Sequence, residues 1–433
     1  MQRILGVNLL VCFANDGCGS RVIVLFSDST IATKIFGVLL YGLLFFIAKS
    51  LHIIQLFVYL CFISIVATMS NRLKIGITQG DTNGVGWEII LKIFADSRMF
   101  ELFTPVVYGS SVAAAHYQKV LTALEYEPVR LSVVESAERA QQGRVNLVES
   151  GAKELSITPG KPSKAGGEAA AAALRSAIED LKRGHISALV TAPIDKEMIQ
   201  CEEFSCTGHT EFLAKELDGE PLMIMTSELM RVGLVTIHVP VSQVAEHLSK
   251  ELIVKRISQM SSSMREDFGI VRPKIAVLAL NPHAGDGGLL GTEEQEIIKP
   301  AIVEAYESGI LAFGPFAADG FFASGRFKEY DAIVAMYHDQ GLAPFKTLTP
   351  NGVNFTASLS KVRTSPDHGV AYDIAGKGVA DEQSMRNAIY EAIDIVRRRK
   401  EWSEWNANPL QHFEREKGRD ISIKDLPETE HHD

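Results

Sequence analysis

Three segments of this chain share one design: a short apolar, β-branched run that ends at a polar stretch containing a histidine. The runs cover residues 231–237, 274–280 and 331–336, and the histidines that follow them are His238, His283 and His338. Runs of this kind predict buried strands that end in loops. Because open α/β sheets bind ligands at the carboxyl ends of their strands, the pattern predicts that the three histidines meet at one edge of a sheet.

Three neutral imidazoles form a suitable ligand set for a divalent metal ion. One histidine at a strand end is more often a hydrogen-bonded structural residue than a ligand. Three at matching positions favour a shared site, and they leave coordination positions open for water or substrate, as catalytic metals require. Imidazole ligands suit zinc, cobalt or nickel better than magnesium. The sequence therefore predicts a catalytic metal ion bound by His238, His283 and His338.

Asp339 and Gln340 follow His338 directly. Either side chain could orient the imidazole by accepting its second N–H group. Asp339 could equally cap the turn after the strand. Asp339 and a water molecule are both candidates for the general base, and the sequence does not choose between them.

The composition bounds the class of protein. A chain of 433 residues with a net charge of −10 is long enough for one two-lobed domain or two domains, and it lacks the basic excess typical of a nucleic-acid binder. The five cysteines have no spacing of a complete zinc site, so we expect free thiols in a reducing compartment.

Residues 1–68 differ in kind from the rest of the chain. Residues 35–67 are almost wholly apolar and exceed the roughly 20 residues that span a bilayer, which allows a membrane anchor. The alternative is a misassigned start, because Met69 is soon followed by a clear first strand at residues 74–78. We favour the misassigned start, with residues 69–433 as a two-lobed catalytic domain that ends in a polar tail.

A glycine-rich turn follows that first strand and leads into a helix. It runs from Gln79 to Gly86 and could bring backbone N–H groups to a phosphate or dinucleotide, but a tight strand-to-helix turn explains it equally well. Further alternation predicts strands at 104–108 and 186–192 and helices at 166–183 and 384–398, an α/β pattern. Residues 141–164 carry mixed charges and two prolines, which predicts an exposed connection between lobes.

Four polar residues outside the histidine trio suit an anionic ligand. His209 and Thr210 open a predicted helix, where the helix dipole favours negative charge, although a threonine there is also an ordinary N-cap. Lys346 and Arg363 flank apolar stretches near His338 in sequence, and a phosphate or carboxylate needs such partners.

Several motifs in order along the chain resemble the 4-hydroxythreonine-4-phosphate dehydrogenase (PdxA) family. They are Gly80-Asp81 with Gly84-Val-Gly86, Thr191-Ala-Pro-Ile194 with Lys196, Gly208-His-Thr-Glu211, Leu280-Asn-Pro-His-Ala-Gly285, Met336-Tyr-His-Asp-Gln-Gly341, Val353-Asn354 and Arg363-Thr-Ser-Pro-Asp-His-Gly369. The similarity extends from about residue 74 to about residue 388.

The resemblance implies an α/β fold like that of the isocitrate and isopropylmalate dehydrogenases, with two α/β/α lobes and a central cleft. It implies a cytoplasmic homodimer whose active site is completed at the interface, NAD or NADP as hydride acceptor, and one divalent metal ion (Zn, Co or Mg) per subunit. The metal ligands fall on His238, His283 and His338. Substrate contacts carry over to the residues His209, Thr210, Lys346, Asn354 and Arg363, while the nucleotide-binding residues are unassigned.

The implied reaction is oxidation of the 3-hydroxyl of 4-(phosphooxy)-L-threonine in pyridoxal 5'-phosphate biosynthesis. The metal ion would bind that hydroxyl and lower its pKa. The product, 2-amino-3-oxo-4-(phosphooxy)butanoate, would lose carbon dioxide to give 3-amino-2-oxopropyl phosphate.

Three alternatives stay open. Thr82 and Trp87 stand where the family usually has proline, and residues 317–321 and 358–362 also depart from its pattern, which allows a sibling dehydrogenase of phosphorylated threonate or erythronate. A zinc hydrolase could use the same histidines to activate water. A membrane-anchored binding protein would depend on residues 35–67.

Overall fold

The computed structural model describes residues 2–4, 7–15, 20–25, 72–152, 154–201, 204 and 209–409. The chain divides into two compact units, Met1–Asn71 and Arg72–Asp433. The first contains an antiparallel sheet of three strands in the order β1-β2-β3, with β1 at Gln2–Ile4, β2 at Val7–Asn15 and β3 at Ser20–Leu25. The predicted apolar segment 35–67 and the predicted start at Met69 lie outside the described residues.

The second unit is built on one mixed sheet of twelve strands. They are β4 Lys74–Thr78, β5 Thr104–Gly109, β6 Leu131–Val134, β7 Val145–Glu149, β8 Ala188–Thr191, β9 Gly219–Thr226, β10 Arg231–Leu234, β11 Lys274–Leu278, β12 Leu311–Phe316, β13 Ala332–Ala335, β14 Val353–Leu359 and β15 Val362–Pro366. Their order across the sheet is β12-β11-β13-β10-β9-β14-β15-β8-β4-β5-β7-β6.

The sheet has two parallel halves joined by an antiparallel centre. Strands β12, β11, β13 and β10 are parallel to one another, and so are β15, β8, β4, β5, β7 and β6. Between the halves, β9 and β14 pair antiparallel with each other and with their outer neighbours. The carboxyl ends of β10, β11 and β13 therefore lie at the same edge of the sheet.

Helices cover both faces of this sheet. They span Gly86–Ala95, Met99–Leu102, Ser111–Ala123, Lys164–Arg183, His209–Glu216, Lys250–Glu266, Lys299–Glu307, Ala318–Ala323, His338–Leu348 and Gln383–Trp405. Single turns occur at Ala137–Arg139, Val241–Gln243, Ala245–His247, Glu294–Ile298 and Arg326–Glu329. Serine N-caps begin three of the helices, because the side chains of Ser110, Ser163 and Ser249 accept a backbone N–H from the first turn.

The two faces of the sheet bury different cores. One face carries a single apolar cluster with members from both halves, such as Ile77 and Ile275. The other face carries two separate clusters, one including Leu189 and Leu213, the other including Phe345. A core that is split on one face only is what two lobes with a central cleft require, and the predicted α/β fold is confirmed.

Residues 141–164 are not wholly exposed, in contrast to the prediction. They contain β7, in which Val145, Asn146 and Leu147 are buried. The polar side chain of Asn146 is tolerated there because its amide donates to the carbonyls of Pro105 and Gln141 and its Oδ1 accepts the Gln141 N–H. The charged residues on either side of the strand hide its apolar character in the sequence.

The polar stretch after β13 is a helix, where the sequence predicted a loop. Helix His338–Leu348 begins directly at the histidine, and Leu342 and Phe345 anchor it in a buried cluster. Gly341 allows this close contact, because a Cβ atom there would lie 2.9 Å from Cδ2 of Leu234 and its neighbours would have to shift. The helix therefore packs tightly on β10 and carries both His338 and Lys346.

Candidate active site

Two of the three strand-end histidines lie side by side. The pairing of β10 with β13 continues beyond the strands, since the N–H groups of Val235 and Thr236 donate to the carbonyls of Ala335 and Met336 at 2.9 and 3.1 Å. This holds the two chain segments together as they leave the sheet. The ring centroids of His238 and His338 are 6.3 Å apart, with an angle of 34° between the ring planes.

Asp339 contacts the ring of His338. Its Oδ1 lies 2.7 Å from Nδ1 of the histidine, a distance typical of a charge-assisted hydrogen bond. A proton on Nδ1 leaves Nε2 as the acceptor atom, which is the form a metal ion needs. A contact of this kind is what an orienting role for Asp339 requires, and that role stays a prediction.

Gln340 does not orient the imidazole of His338, and its side chain instead connects two strand ends. Its Oε1 accepts the N–H of Met336 at 2.7 Å, and its Nε2 donates to the carbonyl of Ala279 at 2.5 Å. These bonds tie the end of β13 to the residue that follows β11. Gln340 thus fixes the spacing of two of the strands that precede the histidines.

His283 lies in an unusual turn after β11. From His283 to Gly287, five consecutive residues have positive φ values between 42° and 78°, a conformation that costs about 1–2 kcal/mol for a non-glycine residue. Strained backbone of this kind clusters at functional sites. The side chain of His283 is exposed.

Within the described residues, no group of three or more His, Cys, Asp or Glu side chains is close enough to hold a metal ion. One chain by itself brings together the rings of His238 and His338. The donor chemistry of this pair fits a divalent ion, and the trio with His283 stays a prediction.

Lys346 forms an ion pair with the carboxylate of Asp367. Its Nζ lies 2.7 Å from Oδ1 of Asp367 and donates to the Asp367 carbonyl at 3.2 Å. Burial raises the pKa of Asp367, an effect that Lys346 partly offsets. The N–H of Asp367 donates to Oγ of Ser384 at 2.9 Å. A pairing between residues 21 positions apart depends on the packing of a helix beside β15 and has no local sequence signal.

Asn354 and Arg363 lie on the face of the sheet that carries the two separate clusters. Asn354 pairs in register with Met225, which belongs to the same cluster as Phe345, and Arg363 pairs with Leu189 of the other cluster. Their strands, β14 and β15, lie between the strands that carry these partners. The two predicted substrate residues are therefore on the floor between the lobes.

The local environments of these two residues differ. Arg363 is only 2% exposed and donates to the hydroxyls of Thr191 and Thr356. The Oδ1 atom of Asn354 is buried without a hydrogen-bond partner. Such an acceptor costs about 1–3 kcal/mol unless a ligand supplies a donor.

His209 and Thr210 are the first two residues of helix His209–Glu216. The sequence predicted a helix over this stretch, and residues 205–208 just before it lie outside the described residues. A position at a helix amino terminus is favourable for an anionic group.

The glycine-rich turn uses its backbone within the protein. The N–H groups of Asp81, Gly84 and Val85 donate to the carbonyls of Pro193, Asp81 and Val370 at 2.9, 3.1 and 3.0 Å. The N–H of Asn83 donates to Oδ1 of Asp81 at 2.8 Å. A cradle for phosphate would need these groups free, so the geometry favours the structural interpretation of the turn.

None of the helices in the described parts of the chain is long and apolar enough to cross a membrane.

A three-layer α/β sheet with imidazoles at the strand ends and cationic side chains beside a split core is the architecture of an enzyme that binds a small anionic ligand. Known proteins identify the class more closely. The family model described as pyridoxal phosphate biosynthetic protein PdxA matches residues 101–392. The chain belongs to the PdxA family, whose named members are dehydrogenases, and it is an oxidoreductase.

Individual relatives agree with this family. A Bacteroides thetaiotaomicron protein named 4-hydroxythreonine-4-phosphate dehydrogenase is 51% identical over 350 residues, covering 80% of this chain and 95% of the relative. The crystal structure of the Klebsiella pneumoniae protein of that name matches with a TM-score of 0.65 and 32% identity, over 75% of this chain and 98% of its own. An Oceanobacillus iheyensis protein provisionally named D-threonate 4-phosphate dehydrogenase is 38% identical, over 76% of this chain and 99% of its own.

Proposed function

We propose that this chain is a cytoplasmic enzyme that oxidises 4-(phosphooxy)-L-threonine at its 3-hydroxyl with NAD or NADP. The product is 2-amino-3-oxo-4-(phosphooxy)butanoate, which decarboxylates to 3-amino-2-oxopropyl phosphate in pyridoxal 5'-phosphate biosynthesis. The observation that carries the proposal is the 51% identity to the Bacteroides thetaiotaomicron dehydrogenase over 95% of that relative's length.

The anionic substrate is bound by cationic side chains beside the central strands. Lys346 and Arg363 suit the phosphate and carboxylate groups, since both ends of the substrate need positively charged hydrogen-bond donors. His209 and Thr210, at a helix amino terminus, favour a further anionic contact. Together these residues set the distance of the reacting carbon from the strand-end histidines.

Asn354 supplies an acceptor for the polar middle of the substrate. Its buried Oδ1 has no protein partner, so a hydroxyl or ammonium group of the substrate that donates to it removes an existing desolvation cost. This interaction favours the binding of a ligand that carries a hydrogen-bond donor at that position. An analogue without the donor leaves the oxygen unsatisfied.

His238, His283 and His338 are the residues that would hold a divalent metal ion (Zn, Co or Mg). Such an ion, when bound, acts as a Lewis acid that makes a substrate hydroxyl easier to deprotonate. Asp339 keeps the ring of His338 in a fixed orientation through the contact to Nδ1. Asp339 is 79% exposed in its side chain, which also allows it to pass a proton to water as a general base.

A second copy of the chain completes the site in this proposal. His283 is exposed, and Leu289 and Leu290 on the same loop are 79% and 43% exposed. Exposed apolar side chains beside a predicted ligand favour burial by a partner. Light scattering of the purified protein is expected to give the mass of a dimer, and a monomer at enzymatic concentrations would contradict this part of the proposal.

The test of function is a substrate panel followed by NADH or NADPH absorbance. The purified full chain, with zinc, cobalt or magnesium, is expected to reduce the nucleotide with 4-(phosphooxy)-L-threonine. Faster turnover of D-threonate 4-phosphate or erythronate 4-phosphate would reassign the substrate. Release of phosphate without nucleotide would identify a hydrolase and overturn the proposal.

A further inference from the structure

The guanidinium group of Arg363 is held by two threonine hydroxyls. Oγ1 of Thr191 accepts hydrogen bonds from both Nε and Nη2, at 3.1 and 2.6 Å, and Oγ1 of Thr356 accepts one from Nη1 at 3.1 Å. Both threonines are fully buried, at 0% exposure. Three N–H donors on three different nitrogens are thus fixed by two rigid neighbours, which determines the plane of the guanidinium group.

The sheet register explains why these threonines meet the arginine. Strand β15 pairs in parallel with β8 and antiparallel with β14, which places Thr356 directly opposite Arg363 and Thr191 one residue beyond the paired Val190. Side chains of directly paired residues point to the same face of a sheet. Since threonine is β-branched, its χ1 angle is restricted and its hydroxyl is a fixed acceptor.

The chemistry of these acceptors suits a cation that binds an anion. A hydroxyl is neutral, so the bonds to Thr191 and Thr356 fix the guanidinium plane without cancelling its charge. A bidentate contact to phosphate or carboxylate depends strongly on the orientation of that plane. A guanidinium plane that is turned away from the correct orientation weakens substrate binding. It does not alter the groups that act on the reacting carbon.

We propose that Thr191, assisted by Thr356, is a positioning residue that sets the orientation in which Arg363 binds an anionic group of the substrate. The inference rests on the proposed function, because it takes Arg363 as a substrate contact. It adds the hydroxyl of Thr191 as a determinant of substrate affinity that acts only through the arginine.

The test compares variants that lack the threonine hydroxyl with a variant that keeps it. Thr191→Val keeps the shape of the side chain and removes the acceptor of two of the three bonds. We expect KM for the phosphorylated substrate to rise about tenfold, since bonds to a charged group are the stronger ones, with kcat within about twofold. Thr191→Ser restores the hydroxyl and is expected to restore KM to within about threefold of the native value. Thr356→Val removes one of the three bonds and is expected to raise KM by a smaller factor, about threefold.

Thr364→Val is the matched control. Thr364 is the next residue on the same strand, is also fully buried, and donates its hydroxyl to the carbonyl of Ala388 at 2.7 Å. Thr364→Val removes a buried threonine hydroxyl on the opposite face of the sheet. We expect this variant to have a lower melting temperature and an unchanged KM. Equal KM values for Thr191→Val and the native protein would overturn the inference, as would equal KM shifts in Thr191→Val and Thr364→Val.

The outcomes separate this inference from the proposed function. If the native protein turns over a phosphorylated threonate or erythronate in place of 4-(phosphooxy)-L-threonine, the proposed substrate is wrong, and the same KM comparison is made with the substrate that reacts. If Thr191→Val does not fold, Thr356→Val decides, and an unchanged KM in that variant contradicts the inference. If the native protein turns over none of the three compounds, both proposals fail.

Discussion

Nζ of Lys346 lies 2.7 Å from Oδ1 of Asp367. The lysine is half exposed and the carboxylate is almost buried, with side-chain exposures of 51% and 10%. The pair joins the end of helix His338–Leu348 to the residue that follows β15. One ion pair thus links the element that begins at His338 to the strand that carries Arg363.

Replacing Lys346 with methionine is expected to lower kcat/KM for the phosphorylated substrate about thirtyfold. The loss corresponds to about 2 kcal/mol, the strength of a hydrogen bond between charged groups. Steady-state kinetics measure it, with Lys119→Met, an exposed lysine on helix Ser111–Ala123, as the matched control. A Lys346→Met enzyme as active as the control would remove Lys346 from the substrate site.

Asp339→Asn is expected to weaken zinc binding by about 10- to 100-fold, because the orienting partner of a ligand histidine is lost. His338→Gln is expected to abolish retention of the metal ion. Metal content after dialysis and competition with a chelator measure both effects. His247→Gln is the control, since His247 is exposed and its ring contacts the backbone carbonyl of Gln243. A native protein that retains no metal ion would contradict the prediction.

Asp81 makes the stability of the protein depend on pH. Burial raises its pKa above the ordinary 3.8, although bonds from Asn83 and Tyr372 partly oppose this. Because the folded state binds this proton more tightly than the unfolded chain, the linked stabilisation is complete below pH 3.8 and is lost as the pH rises through the folded-state pKa.

Asp81→Asn removes that titration. The melting temperature of the variant, measured against the native protein, is therefore expected to increase from about pH 4 to about pH 7. Asp373→Asn, at an exposed carboxylate, controls for the loss of one negative charge. The difference in melting temperature between Asp81→Asn and the native protein is corrected by that of the control. If it stays constant over this pH range, burial does not raise the pKa of Asp81.

Gly86→Ala is expected to destabilise the protein by about 3 kcal/mol, the upper range for overpacking a rigid interior. A Cβ atom at this position would lie 2.0 Å from the carbonyl oxygen of Gln79, and the turn cannot open without breaking its own hydrogen bonds. Chemical denaturation measures the change. Gly320→Ala is the matched control, because no heavy atom lies within 4 Å of its added Cβ, and alanine there is expected to stabilise the helix slightly.

The α/β class, the positions of most strands and the strand-end histidines could be predicted from the sequence, because apolar periodicity and glycine-rich turns are local signals. The sequence also contained the ordered motifs of the PdxA family. Local signals did not predict β7, because the buried Asn146 interrupts its apolar positions. They also did not predict the helix that begins at His338.

Which side chains meet depends on the packing of strands and helices that are distant in sequence. The contacts of Lys346 with Asp367 and of Arg363 with Thr191 join residues 21 and 172 positions apart, and they follow from strand order and helix packing, which no short stretch of sequence specifies. The same holds for the three histidines. Adjacent parallel strands bring His238 and His338 together, whereas the side chain of His283 is exposed in a left-handed turn.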